Sequence, residues 1–387
     1  MEEGARVFFF HACGEAILPL TPRPLPHLLF LSPPPLKSPA MRHAMATCAV
    51  GDDVWGEDPT VTALEAAGAA LTAKAAALWV PTGTMGNLAA VLALTSPAAG
   101  AAGGGAEALV GDQSHIYQYE QGGLASLGRL AFNVVPTRPN GELALADLAA
   151  RVRVSAPADP HAALTCVVCL ENTHNRCGGA VLSLAYLASV AAWAAGLDPP
   201  LPVHLDGARL FNAAAGAGVE VAAIAAHVTT LTFCLSKGAG APAGSLVCGP
   251  ADVIARARRV RKALGGGLRQ AGVLAACGAV ALADGVRLAV EDAARARALA
   301  AGLATIPGVV VETNPPDSNI VLFGLHPDRG GGRLPGHDAL VAALAARHGV
   351  RVAPFRGRIR AVTSREVDAA GIETAIAAVR AVVGGEE

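Results

Sequence analysis

The chain has 387 residues, 52% of them hydrophobic and 16% charged, with a formal net charge of −1. That length exceeds one average domain and can bury a large core. The near-neutral charge lacks the basic excess of a nucleic-acid or anionic-membrane binder, so neither partner is expected.

Residues 1–40 differ from the rest. The apolar start is interrupted by His11, Glu15 and repeated prolines, and no run approaches the ~20 residues of a membrane-spanning helix. Glu2 and Glu3 stand where a secretory signal needs basic residues. This segment is expected to be poorly ordered, with organelle targeting left open. Regular patterning begins near residue 46. Asp58 followed by Pro59 predicts a helix start, with Val61, Leu64, Gly68 and Leu71 on one face.

Short apolar runs then follow one another: "AALWVP", "EALVGD" (107–112), "RLAFNVVP" (129–136), "TCVVCLE" (165–171), "PVHLD" (202–206), "TLTFCLS" (230–236) and "SLVCG" (245–249). Helix-like stretches such as 182–197 separate most of them. This alternation predicts an α/β domain over 41–283 with a mainly parallel sheet flanked by helices. After residue 283 a long helix leads to strand "NIVLFGL", a helix, strand "RIRAVTS" and a last helix, read as a smaller α/β domain over 284–387. Of eight cysteines only Cys166 and Cys169 have C-x-x-C spacing. On a strand that spacing points them to opposite faces, and no second pair completes a zinc site. They read as reduced core thiols of a reducing, cytoplasmic compartment, with no metal expected.

Ligands of open α/β sheets bind at the carboxyl ends of strands. Lys237 follows one strand-like run, Asp206 ends another, His115 follows a third, and Gly83 and Thr84 sit between a strand and a helix. An amine, a buried carboxylate, an imidazole and a helix N-terminus are the groups that pyridoxal phosphate requires. They serve as its Schiff-base carrier, its ring-nitrogen partner, its face partner and its phosphate cradle.

The segments "GDDVWGEDPT", "VPTGTMGN", "SHIYQYEQGG", "LENTHNRCGG", "HLDGARLFNAA", "CLSKGAGAPAGSLVCG" and "KALGGGLRQAG" closely resemble, in order, the motifs of the threonine aldolases. The resemblance runs from about Met41 to the C-terminus and is weaker after 290. It implies an aspartate-aminotransferase-like fold and a pyridoxal-phosphate lyase that cleaves L-threonine or L-allo-threonine to glycine and acetaldehyde. It also implies an amino-acid substrate and a homodimer or homotetramer with shared active sites. By this resemblance Lys237 is the Schiff-base lysine, Asp206 the ring-nitrogen partner, His115 the stacked histidine, and Gly83 and Thr84 the phosphate-binding pair. Arg209 and Arg360 hold the substrate carboxylate. Lys262 and Arg269 reach toward the cofactor phosphate of a neighbouring subunit. His161, thirteen residues before His174, aligns with a second histidine near the substrate hydroxyl. Alternation about Ile359 and Ala361 predicts a half-exposed Arg360, either a solvated edge charge or a clamp reaching into the cleft.

The chain departs from the pattern in three places. The usual N-terminal strand with its substrate-binding serine falls on "LLFLSPPP", with Leu31 at the serine position. Trp55 replaces a tyrosine, and Ser364 replaces a histidine. These departures leave two alternatives open: a related protein with impaired aldol activity, and another pyridoxal-phosphate amino-acid lyase or transaminase.

Overall fold

A computed structural model describes residues 38–101, 105–154, 161–326 and 335–385. Residues 1–37, and with them Leu31, lie outside the described residues. Seven strands form one sheet: β1 (Ala76–Val80), β2 (Ala106–Gly111), β3 (Leu130–Val135), β4 (Leu164–Glu171), β5 (Val203–Asp206), β6 (Thr230–Cys234) and β7 (Ser245–Gly249). Their order is β1-β7-β6-β5-β4-β2-β3. Strands β6, β5, β4, β2 and β3 run parallel, and β7 is antiparallel to both β1 and β6. The sheet is therefore mainly parallel, as its strand–helix alternation predicts.

Continuous apolar strands are buried on both faces. Along β4, Val168 and Leu170 join one core with Trp79, Leu205 and Phe233, while Val167 and Cys169 join another with Val110 and Leu130. Cys166 corrects the expectation of opposite faces. The pairing of β2 with β4 skips from Thr165 to Val167, a bulge at Cys166. The extra residue resets the alternation, and Cys166 packs in the same core as Cys169. Both are free thiols.

A second sheet is antiparallel: β8 (Val309–Val311), β9 (Ile320–Leu325), β10 (Ala353–Phe355) and β11 (Arg358–Val362), in the order β10-β11-β9-β8. Strands β8 and β10 were not visible in the sequence, because each has three residues and lies at a sheet edge. Pro354 is tolerated in β10 for that reason. Helix Gly272–Ala304 serves both sheets. Its first half packs on helices Pro59–Thr72 and Leu210–Ala217, and its second half on the C-terminal helix Ala369–Gly384. It is long and apolar enough to cross a membrane, yet 44% of its most apolar window is buried against these neighbours. The boundary expected at 283/284 falls inside this helix, and we propose that the two domains share it.

Asp58 is a stronger anchor than its cap position suggests. It is buried, and its carboxylate accepts four backbone N–H groups, from Thr60 (3.0 Å), Val61 (3.0 Å), Gly51 (3.2 Å) and Gly272 (2.9 Å). It thus caps helix Pro59–Thr72 and ties down the start of the long helix. A cap is worth about 1 kcal/mol, and each buried donor left unsatisfied costs about 1–3 kcal/mol. Asp58→Ala is expected to destabilise the fold by about 2–4 kcal/mol, seen as a lower urea midpoint at unchanged slope. An unchanged midpoint would show the anchor to be redundant.

Candidate active site

Strands β4, β5 and β6 end side by side, and each delivers a polar residue to the same edge. Asp206 closes β5, paired with Glu171 on one side and Thr232 on the other. It is buried and accepts the Ala208 amide (3.1 Å). Beyond β6 the chain makes a closed loop. Leu235 N–H donates to Gly244 O (3.0 Å), Ala241 N–H to Leu235 O (2.9 Å) and Gly240 N–H to Lys237 O (2.9 Å). Gly244 sits at φ +102°, and a Cβ there would lie 2.5 Å from Trp79 Nε1. The small residues after Lys237 therefore allow a tight loop that holds the lysine backbone still. Lys237 is half-buried and lines one cavity with Gly83, Thr84, His115 and Asp206.

Helix Gly83–Ala101 points its N-terminus into this cavity. Thr82 caps it by accepting Met85 N–H (3.2 Å). The Gly83 and Thr84 amides have no hydrogen-bond partner among the described residues. Free amides at a helix start, with the helix dipole behind them, suit an anion. A Cβ at position 83 would lie 2.9 Å from Cys234 Sγ, so glycine brings the backbone close.

Glu171, at the end of β4, links two loops. It accepts His115 N–H (2.6 Å) and Asn175 N–H (2.8 Å). Asn175 in turn gathers two guanidiniums on its Oδ1: Arg360 Nη2 at 2.7 Å and Arg209 Nη1 at 3.3 Å. Arg209 is 8% exposed and Arg360 4%, and neither has a carboxylate within ion-pair distance among the described residues. Arg360 Nε has no hydrogen-bond partner among the described residues. Burial, and then the neighbouring Arg209, push the Arg360 pKa down to about 9, and burial lowers that of Arg209 too. Two buried cations sharing one neutral acceptor form a site that an anion would relieve. Both line the cavity wall with Lys237, Asp206 and His115. The half-exposed Arg360 expected from alternation is corrected here. One face of β11 carries Ile359 and Ala361 into the core beneath the C-terminal helix. The other face, with Arg360 and Leu322, lies against the loop that holds Asn175 and Gly178, so both faces are covered.

The structure thus brings together Lys237, Asp206, His115, Gly83, Thr84, Arg209 and Arg360. It leaves three expected residues elsewhere. Lys262 is exposed and lines a separate basic cavity with Arg258, Arg259, Arg261 and Val54. Arg269 is exposed and donates to Asp52. His161 lies in an exposed turn and does not line the Lys237 cavity. The sequence reading missed Glu120, whose Oε1 lies 2.9 Å from His115 Nδ1. Its signal was present: a carboxylate five residues past the histidine in "SHIYQYEQGG". Ligand atoms of His115, Glu120 and Asp206 lie within 4.8 Å of one another. Glu120 Oε1 accepts Asn87 Nδ2 at 2.9 Å and lies 2.9 Å from His115 Nδ1.

The model of the beta-eliminating lyase family matches residues 36–326. The chain is 41% identical over 289 residues to a probable low-specificity L-threonine aldolase 2 of Arabidopsis thaliana, covering 75% of this chain and 79% of that one. It is 43% identical over 255 residues to the low specificity L-threonine aldolase of Escherichia coli K12, covering 66% and 72%. A solved putative aromatic amino acid beta-eliminating lyase/threonine aldolase from Exiguobacterium superposes with a TM-score of 0.73 at 19% identity, covering 89% of this chain and 93% of that one. This last likeness is one of fold. With three quarters of the sequence matched, the chain belongs to the beta-eliminating lyase family, in the branch of the low-specificity L-threonine aldolases.

Proposed function

We propose that this chain is a pyridoxal-phosphate-dependent carbon–carbon lyase that cleaves L-threonine or L-allo-threonine to glycine and acetaldehyde. The observation that carries the reading is the buried pair Arg209 and Arg360, without a carboxylate partner among the described residues, on the wall that Lys237 and Asp206 also line. The residues present fit the cofactor. Gly83 and Thr84 offer free amides to its phosphate, Lys237 an amine to its aldehyde, and Asp206 a carboxylate to its ring nitrogen. When bound, pyridoxal phosphate supplies an electrophilic carbon and a ring that accepts the electrons of the breaking bond.

The protein's own part is orientation and proton transfer. Arg209 and Arg360 hold a substrate carboxylate by charge-assisted bonds. That fixes rotation about Cα and selects which bond is aligned for cleavage. Nδ1 of His115 is occupied by Glu120, so Nε2 is the nitrogen free to take the proton of the β-hydroxyl. The Lys237 amine, held at the loop described above, lines the same cavity as His115 and would accept and return a proton at the reacting carbon. His161 has no role that its position supports in the same protomer.

Incubation with L-threonine and with L-allo-threonine, followed by coupled reduction of acetaldehyde, tests the reading. Acetaldehyde and glycine in equal amounts are expected. Bound cofactor without acetaldehyde would identify an impaired relative. Release of ammonia or a keto acid instead would identify a different lyase or transaminase. Seven free thiols among the described residues favour a reducing, cytoplasmic setting.

Assembly is part of the proposal. Lys262 and Arg269 lie outside the protomer's own site, and beside them Trp55 is 75% exposed and Leu268 37%. Such a basic and apolar patch gains a purpose when a second copy covers it. A homodimer or homotetramer is expected by sedimentation, with Trp55→Arg shifting it toward smaller species and lowering activity in parallel. A fully active monomer would overturn this.

A further inference from the structure

Behind His115 runs a hydrogen-bonded chain that leads away from the cavity into the core. His115 Nδ1 meets Glu120 Oε1 at 2.9 Å. Asn87 Nδ2 donates to the same oxygen at 2.9 Å. Asn87 Oδ1 meets His204 Nε2 at 3.1 Å, and His204 Nδ1 meets Thr230 Oγ1 at 2.9 Å. Asn87, Glu120, His204 and Thr230 are all buried, His204 and Thr230 completely. The sequence reading gave none of these four a role.

Hydrogen-bond chemistry sets the direction of the chain. A carboxylate only accepts, so Asn87 turns its amide N–H toward Glu120 and its carbonyl toward His204. His204 must then donate from Nε2 and accept the Thr230 hydroxyl on Nδ1. Burial lowers the His204 pKa to about 4, so it carries a single ring proton and keeps this orientation. Burial raises the Glu120 pKa, and the His115 and Asn87 hydrogen bonds pull against it. As a carboxylate Glu120 only accepts, and every donor points toward it. His115 must in turn donate from Nδ1.

We propose that Glu120, Asn87 and His204 are positioning residues for His115, fixing its proton on Nδ1 so that Nε2 faces the cavity as a proton acceptor. The chain also joins two parts of the site. Asn87 lies one turn along the helix whose start offers the free amides of Gly83 and Thr84, and His204 lies two residues before Asp206 on β5. The groups that face His115 are Glu120 and Tyr119 from its own segment, Asp206 from β5 and Lys237 from the loop after β6. Glu171 from β4 holds its backbone, and Arg209 and Arg360 stand across the cavity. Burial lowers the His115 pKa, but the Glu120 hydrogen bond and the Asp206 and Glu120 charges outweigh it against Lys237, and the net direction is upward.

The sign of the pH effect follows. With His115 as acceptor, kcat/KM falls as pH drops through its pKa. Removing Glu120 lowers that pKa and moves the acid limb to lower pH. The inference rests on the aldolase reading for this kinetic arm only; nuclear magnetic resonance of the holoenzyme with ¹³C,¹⁵N-labelled histidine reads the ring whether or not threonine is cleaved. The His115 signal is assigned by its loss in His115→Phe. The parent should show the proton on Nδ1 and a pKa above 6.5. Glu120→Gln keeps an oxygen that can accept from His115 and Asn87 but removes the negative charge that favours the protonated ring. It should lower that pKa, shift the acid limb with it, and cut kcat roughly tenfold to a thousandfold, within the range of general acid–base catalysis. KM should stay within about threefold, since carboxylate binding is untouched. Asn87→Ala should move both readouts the same way by less. A parent ring protonated on Nε2, which needs no variant to detect, would overturn the proposal. So would a Glu120→Gln protein whose His115 titration and acid limb match the parent, as expected if Glu120 only supported the fold. An unchanged titration in Asn87→Ala would remove Asn87 and His204 from the device.

Discussion

Lys237→Ala is expected to abolish covalent cofactor attachment and to reduce threonine cleavage by about 10⁴-fold or more, since general acid–base transfer alone supplies about 10²–10⁴ and the covalent carrier is lost as well. The argument is positional. Lys237 is the lysine among the residues that line the cavity with Asp206, His115, Gly83 and Thr84. Its backbone is fixed by the Leu235–Gly244 and Gly240–Lys237 hydrogen bonds, so a neighbouring lysine is not carried into its place. Lys262 faces a different cavity, and Lys74 donates to Val228 O (2.6 Å). Borohydride reduction followed by mass measurement reads the attachment directly. The parent should gain the mass of one reduced cofactor per chain, and the variant none. The variant should still fold, because alanine fits a half-buried loop position. A reduced adduct persisting in Lys237→Ala would show that another amine carries the cofactor.

Arg360→Met is expected to separate function from stability. A charge-assisted bond to a carboxylate is worth roughly 1.5–3 kcal/mol, so kcat/KM for threonine should fall roughly ten- to a hundredfold. If the arginine also sets rotation about Cα, kcat falls along with the rise in KM. Stability should move the other way. The Arg360 guanidinium is buried, lies near Arg209 and has no carboxylate within ion-pair distance among the described residues. Replacing such a charge with an apolar chain of similar length commonly gains about 1–4 kcal/mol. The pH dependence carries a definite sign. The folded pKa of about 9 lies below that of the unfolded chain, so the charged form costs stability at neutral pH. The gain from Arg360→Met should be full near pH 7 and shrink as pH rises through 9, where the parent sheds its charge. Denaturant midpoints at pH 7 and pH 9.5, set beside kinetics at pH 7, check both halves. Parent-like kinetics would mean that Arg360 does not touch substrate. A lower midpoint at pH 7 would mean that its bond to Asn175 and its place over the Phe355 ring, 5.6 Å from the centroid, outweigh its burial.

The sequence by itself determined the parts of this protein that depend on near neighbours in the chain. The seven strands of the large sheet follow from short apolar runs between turn residues, because burial on both faces leaves no room for polar alternation. The places of Lys237, Asp206, His115, Gly83 and Thr84 follow from their positions just past those runs, since parallel strands bring their carboxyl ends to one edge. The Asp58-Pro59 helix start is equally local. The tertiary structure alone decided what depends on which strand lies beside which. Arg360 is buried rather than half-exposed because the second face of its sheet lies against the loop of Asn175 and Gly178, which alternation along one strand does not record. Cys166 shares a face with Cys169 because a bulge against β2 breaks the period of two. Strands β8 and β10 are three residues long and exist only as partners of β9 and β11. The Glu120–Asn87–His204 chain joins residues up to 117 positions apart, and each of them alone reads as an ordinary polar residue. Hydrogen-bond partnership in a core is set by packing in three dimensions, and periodicity along the chain carries no trace of it.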